Sequence, residues 1–108
     1  MANVLKIYSQ AVLGTTNVEL DVHGDGSLAA LSATNKHTSN AIIVSVYAFP
    51  TDNKKSATDS EHLIWHTSLA ASSTSTFELT QGSVDLALLR LSASATAGTD
   101  VTLTVFGI

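Results

Sequence analysis

The clearest indication of fold class is the segment Val101-Thr102-Leu103-Thr104-Val105, in which apolar residues alternate with threonine. Successive side chains of a β-strand point to opposite faces, so this pattern predicts a strand with one buried and one exposed face. Val18-Glu19-Leu20-Asp21-Val22 alternates in the same way, with carboxylates on the second face. Residues 42–49 form a β-branched and aromatic run, which is typical of a central strand buried on both faces.

The rest of the chain continues this β pattern. Further strands are predicted at residues 28–33, 63–65, 76–79 (with Phe77 and Leu79 on one face) and 86–95. Polar turns separate the strands at intervals of about 8 to 12 residues, which is typical of antiparallel sandwiches and barrels. We therefore predict one all-β domain over residues 1–108, a single antiparallel β-sandwich of about eight strands that is jelly-roll-like. Local pattern does not specify strand order, so other sandwich topologies stay open.

Composition excludes several classes of protein. Hydrophobic residues make up 44% of the chain and charged residues 13%, against about 25% charged in an average domain, which is too apolar for intrinsic disorder. The net charge is −4, and the five basic residues are scattered along the chain, with only Lys54 and Lys55 adjacent to each other. Binding to nucleic acid needs a basic stripe that neutralises phosphates. We therefore expect no nucleic-acid partner.

We also expect no membrane association and no secretory signal. No apolar run approaches the ~20 residues that a spanning helix needs, and no basic segment followed by an apolar one opens the chain. The chain contains no cysteine, which excludes disulfides, thiolate zinc ligands and a thiol nucleophile.

The four histidines and nine acidic residues form no recognisable reaction centre. His62 and His66 have the spacing of metal ligands on a helix, but on a strand they lie ~13 Å apart, too far for one zinc ion. The turn His23-Gly24-Asp25 lacks the late glutamate of a calcium loop, and the chain has no Gly-x-Ser-x-Gly elbow. We therefore predict that the protein is not an enzyme and has no catalytic, cofactor-binding or metal-binding residues and no cofactor.

The N-terminal segment, residues 1–14, has apolar residues on both faces of the predicted strand. One face carries Leu5, Ile7, Ala11 and Leu13, and the other carries Val4, Tyr8 and Val12. A strand with one wet face should be polar on that face, so either this strand is buried on both faces within the monomer or its second face meets another subunit. On the second interpretation, residues 1–14 form an arm or strand at an interface. The predicted interface residues are Val4, Leu5, Ile7, Tyr8 and Val12.

From Ala33 onward the segments follow a recognisable order. A strand ends in the turn Ala33-Thr34-Asn35, and the next, Ile43-Val44-Ser45-Val46-Tyr47-Ala48-Phe49-Pro50, closes with an aromatic residue and proline. A polar acidic loop leads to the short strand Leu63-Ile64-Trp65-His66, and a small-residue turn leads into Phe77-Glu78-Leu79. The small-residue strand Leu91-Ser92-Ala93-Ser94-Ala95 and a Thr/Val strand closing at Gly107 complete the order.

This order resembles that of the small β-sandwich virion proteins of tailed bacteriophages. The chain departs from the family in three places. Asp52, Asn53 and Lys54 replace glycines in the loop after the proline, and Ser72-Ser73 replaces the glycine of the later turn. The N-terminal part of the chain is additional to the family pattern.

The resemblance implies a capsid cement or decoration protein that binds the outer shell, contacts the major capsid protein and stabilises the shell. Such proteins are commonly trimers at local threefold axes, so the resemblance also implies a homotrimer located in the virion after assembly in the host cytoplasm. The alternative is a head-fibre or tail component that binds the host surface. It would bind a glycan through Trp65 and the loop of residues 50–61, although a strand aromatic more often belongs to the core.

Overall fold

The computed structural model describes residues 6–20, 27–50, 62–78, 84–85, 89–98 and 100–107. These ranges contain nine β-strands, and they contain no helix that is long and apolar enough to cross a membrane. The strands are β1 (Lys6–Leu13), β2 (Val18–Glu19), β3 (Ser27–Asn35), β4 (Ile42–Pro50), β5 (Leu63–Leu69), β6 (Thr74–Glu78), β7 (Val84–Asp85), β8 (Leu89–Ala95) and β9 (Val101–Gly107).

The strands form two antiparallel sheets, which confirms the predicted all-β sandwich. Sheet A has the order β1-β9-β3-β6, with β7 paired to the start of β3, and sheet B has the order β2-β8-β4-β5. If the two-residue β7 is set aside, each strand is followed along the chain by a strand of the other sheet. The one exception is β4, which is followed by its neighbour β5 in the same sheet. This alternation between two four-stranded sheets is a jelly roll.

The core lies between the two sheets and consists of the inward-facing residues of both. In β9, Val101, Leu103 and Val105 are fully buried, as their alternation with threonine predicts. The other fully buried large side chains are Leu13, Leu31, Ile42, Leu69, Leu91, Val44, Val46 and Asn35. All of these are apolar except Asn35, which makes that residue the exception to explain.

The prediction for residues 42–49 was half right. β4 is a central strand, paired with β5 on one side and β8 on the other. It is not buried on both faces, because Ile43 remains 37% exposed and Tyr47 is half-buried. A two-layer sandwich covers each sheet on one face only, so the outer face of even a central strand stays open.

The first strand differs from its predicted alternation because it contains a β-bulge. In the pairing of β1 with β9, Ile7 is opposite Phe106 and Ser9 is opposite Val105, so Tyr8 is an extra residue. One extra residue inverts the alternation beyond it. Ile7 therefore lies on the outer face and is 62% exposed, whereas Tyr8 packs against the core. The predicted assignment of Ile7 and Tyr8 to faces was wrong, and that of Val12, which is 53% exposed, agrees with the structure.

Trp65 and Phe77 close the sandwich on the side where β5 and β6 meet. Their ring centroids are 5.9 Å apart at an interplanar angle of 41°, and both side chains pack against the core. Phe77 packs against the core, and Leu79, which is predicted to share its face, lies outside the described residues. An offset aromatic pair of this kind adds stabilisation beyond its buried area.

Replacing Trp65 by alanine is expected to lower the free energy of unfolding by about 3 kcal/mol, because a large apolar side chain between the sheets is lost. Urea denaturation followed by circular dichroism measures the change. The matched control is Leu63→Ala on the same strand, whose side chain is 39% exposed and should cost less than about 1 kcal/mol. Equal losses in the two variants would contradict the packing of Trp65 against the core and Phe77.

Candidate functional site: a tied loop end and an open edge

Asn35 is a buried side chain that ties together the turns at one end of the sandwich. It is 0% exposed, and its Nδ2 donates to the carbonyl oxygens of Asn40 at 3.0 Å, Leu69 at 3.1 Å and Ala70 at 3.3 Å. Its Oδ1 accepts a hydrogen bond from the backbone N–H of His37 at 2.9 Å. Both ends of the amide are therefore satisfied, as a buried polar group requires.

The backbone extends this tie to a third turn. The N–H of Asn35 donates to the carbonyl of Ser73 at 2.8 Å, and the N–H of Lys36 donates to the carbonyl of Asp100 at 2.7 Å. The turns β3–β4, β5–β6 and β8–β9 are thus hydrogen-bonded to one another around one residue. A rigid end of this kind loses little conformational freedom when it binds a partner.

His37 shapes the β3–β4 turn from within. Its Nδ1 accepts hydrogen bonds from the backbone N–H groups of Ser39 at 3.1 Å and Asn40 at 3.0 Å. Its carbonyl accepts from the N–H of Ser72 at 3.0 Å. The imidazole therefore acts here as a turn-forming acceptor, which leaves no reason to assign it a chemical role.

Ser72 occupies a position that favours glycine. Its φ is 56°, in the left-handed region that costs a residue with a Cβ roughly 1–2 kcal/mol. Ser72-Ser73 stands where the family that the sequence resembles has glycine. The backbone of this turn therefore has the conformation that a glycine would adopt without strain.

The second feature is an open side of the sandwich, where β1 and β2 are the edge strands of the two sheets. Among the exposed large hydrophobic residues of the described ranges, Ile7 (62%), Val12 (53%) and Val18 (39%) lie on these two strands. We call this the β1–β2 edge surface. The structure thus brings Ile7 and Val12 of the predicted interface residues to one surface and directs Tyr8 to the core. Val4 and Leu5 lie outside the described residues.

The outer face of sheet B carries an aromatic and charged cluster that sequence reasoning missed. The guanidinium of Arg90 lies 5.3 Å from the ring centroid of Phe49 and pairs with the carboxylate of Glu19. The ring centroids of His62 and Phe49 lie 5.9 Å apart, and Phe49 is only 3% exposed. The cluster links β2, β8, β4 and the start of β5, so it has a structural role. The sequence feature that could have indicated this cluster is Arg90, because it is the only arginine of the chain.

Within the ranges that the structure describes, the remaining candidate residues are not brought together as a reaction centre. Trp65 is half-buried against Phe77, so the predicted alternative loses its exposed platform. Ser45 Oγ and His66 Nδ1 share a 2.9 Å hydrogen bond on the exposed face of sheet B. Among the described hydrogen bonds, none joins a carboxylate to this pair. The turn at His23 and residues 51–61 of the predicted glycan loop lie outside the described residues.

Changing Asn35 to aspartate is expected to cost more stability than changing it to alanine. Alanine leaves buried backbone groups unsatisfied, at about 3 kcal/mol, whereas the nearly isosteric aspartate also places carboxylate oxygen against three carbonyl oxygens. Urea denaturation with unchanged m-value would report both losses. An Asn35→Asp protein as stable as the natural one would show that the amide does not hold the turns.

Changing Ser72 to glycine is expected to raise the free energy of unfolding by about 0.5–1 kcal/mol, because relief of the left-handed strain outweighs the added freedom of the unfolded chain. The matched control is the neighbouring Ser73→Gly. Its Oγ donates to the carbonyl of Ala70 at 2.6 Å, so we expect a loss of about 1 kcal/mol. A shift of the same sign in both variants, measured by thermal or urea denaturation, would contradict this account.

In the described part of the chain, the histidine and acidic side chains form no group of three or more that could hold a metal ion. The two features that these residues form are the hydrogen-bonded turns around Asn35 and the apolar β1–β2 edge surface. The chain matches no protein-family model and no curated protein.

Proposed function

We propose that the protein is a non-enzymatic structural component of a tailed-phage virion, a cement or decoration protein that binds the outer capsid shell and stabilises it. The observation that carries this proposal is the turn at Ser72. There the chain departs from the family's glycine, yet keeps at φ 56° the backbone conformation that glycine favours. The Asn-containing turn of the resemblance has a physical role too, because Asn35 is the buried tie of the loop end.

The proposed mechanism is thermodynamic linkage. A protein that binds only the assembled shell stabilises it at each site by RT ln(1 + [L]/Kd), without any chemical step. The sandwich suits this role because the hydrogen bonds around Asn35 order three of its turns before binding. Jelly rolls also recur in viral capsid and lectin domains.

The partners in this proposal are the major capsid protein and further copies of the chain. The homotrimer implied by the resemblance stays a prediction, as does the location in the virion. The alternative, a head-fibre or tail component that binds a host glycan, has less support because Trp65 packs against Phe77. We therefore favour the capsid shell as the binding partner.

The test is to separate phage particles, detached tails and soluble protein from infected cells on a density gradient, and to probe the fractions with an antibody against this chain. We expect the chain to sediment with the major capsid protein. Particles stripped of it in mild urea should rebind the purified chain to saturation and should then release DNA at a higher temperature. Recovery only in the soluble fraction would contradict the proposal, and recovery with detached tails would favour the alternative.

The contact surface itself has to be probed by point substitution. Deleting residues 1–14 would remove β1, which supplies the fully buried Leu13 to the core, so loss of binding would only report unfolding. Ser45→Arg and Thr76→Arg change the exposed faces of sheets B and A, and unchanged thermal unfolding would show that each variant folds. Loss of capsid binding in one variant alone would identify the bound face.

A further inference from the structure

β1 is a long edge strand without the usual protection against pairing. It has eight residues and is hydrogen-bonded to β9 on one side, and none of the described strands pairs with its other side. Natural edge strands are blunted by charge, proline or short length. From Ile7 to Leu13 the strand has neither charge nor proline, and on this side the residues from Ser9 to Leu13 pair with no strand of the described ranges.

The other edges of the two sheets are different. β2 and β7 have two residues each, and β6 has five and ends at Glu78. β5 has seven residues but is interrupted by a bulge between Leu63 and Trp65, and it is joined to β6 by a tight turn. β1 resembles β5 in having seven residues without a formal charge, one bulge and five regularly paired residues, Ser9 to Leu13. It differs in presenting the two most exposed large hydrophobic residues of the described ranges, Ile7 and Val12.

The charge distribution of the edge indicates what covers it. Around a two-fold axis a strand meets its own copy, so a charge near the axis would face a like charge at close range. From Ile7 to Leu13 β1 carries no charged residue, and the described part of β2 carries only Glu19, which is paired with Arg90, although the whole chain has a net charge of −4. This neutral, apolar edge fits a second copy of the same chain.

We propose that β1 pairs antiparallel with β1 of a second copy about a two-fold axis at Ala11. Residues directly opposite each other must lie on the same face of the joint sheet. With Ala11 at the axis, Ser9 faces Leu13 of the other copy on the inner side, and Gln10 faces its Val12 on the outer side. This register pairs the five residues from Ser9 to Leu13. An axis at Gln10 would shorten the paired segment because of the bulge at Tyr8, and an axis at Val12 would shorten it because β1 ends at Leu13.

The consequence is a dimer in which the two A sheets form one continuous eight-stranded sheet. Each Val12, which is 53% exposed in the single chain, is covered by the Gln10 stem of the other copy. The contact is isologous and therefore closed, so it stops at two chains. It goes beyond the proposed function, does not require a capsid, and takes the place of the homotrimer that the resemblance implies.

Light scattering behind a sizing column tests the contact on the full chain. We expect twice the 11.2 kDa chain mass over a range of loading concentrations, and a single chain mass for Val12→Lys. Ile43→Lys, which adds the same charge at a 37% exposed residue of sheet B, should keep the doubled mass. A single chain mass for the natural protein, or a doubled mass for Val12→Lys, would overturn the proposal. Three chain masses would also overturn it and agree with the homotrimer.

The absence of cysteine allows the register to be tested directly. Opposite residues of an antiparallel pair have Cβ atoms about 4.5–5.5 Å apart, close enough for a disulfide after a small adjustment. A mixture of Gln10→Cys and Val12→Cys chains should therefore form cross-linked dimers on mild oxidation, whereas Gln10→Cys mixed with Ile43→Cys should not. Equal cross-linking in the two mixtures, or none in the first, would refute this register. Neither readout involves a capsid, so a failure here leaves the capsid proposal standing.

Discussion

The end of the sandwich where the β3–β4, β5–β6 and β8–β9 turns meet depends on the hydrogen bonds of one buried amide, that of Asn35. Asn35 follows the buried residues Leu31 and Ala33 at every second position of β3. It therefore lies at an inward-facing position, where the alternation predicts an apolar side chain. Burying an amide without partners costs roughly 1–3 kcal/mol on the scale of protein mutations. Here its partners are backbone groups from two separate turns, so the amide is satisfied only when those turns lie together. A leucine could fill the same space, but it would not specify that arrangement.

The fold class could be predicted because a strand that is buried on one face has apolar residues at every second position of its sequence. The alternation of Val101, Leu103 and Val105 with threonine follows from one buried face, and β-branched residues concentrate in the central strand β4. Burial of β4 on one face only could not be predicted locally, because Ile43 and Tyr47 are as apolar as core residues. An exposed apolar residue is common on folded proteins, so composition alone does not separate the two faces.

The candidate site could be predicted only in part, for a reason that lies outside β1 itself. The two-sided apolar character of the segment is visible in the sequence and led to Val12. The bulge that sends Ile7 outward and Tyr8 to the core depends on where Phe106 and Val105 stand in β9, a pairing of distant residues that no local pattern contains. The role of Asn35 did have a local signal, because an asparagine that continues the inward alternation of Leu31 and Ala33 must find buried partners.

The unprotected edge of β1 is then hard to explain as an accident of the fold. One lysine on the outer face between Ile7 and Leu13 would suppress edge pairing at little expense to a monomer, because Val12 contributes little to the core while 53% exposed. The edge strands β2 and β6 carry Glu19 and Glu78, whereas β5, and β1 beyond Lys6, carry no formal charge. Of these two uncharged edges, β1 exposes the larger apolar surface, at Ile7 and Val12. An edge that stays long, neutral and apolar risks unlimited association unless its contact closes on itself. Pairing about a two-fold axis meets that condition, because it uses up the same edge of both chains at once.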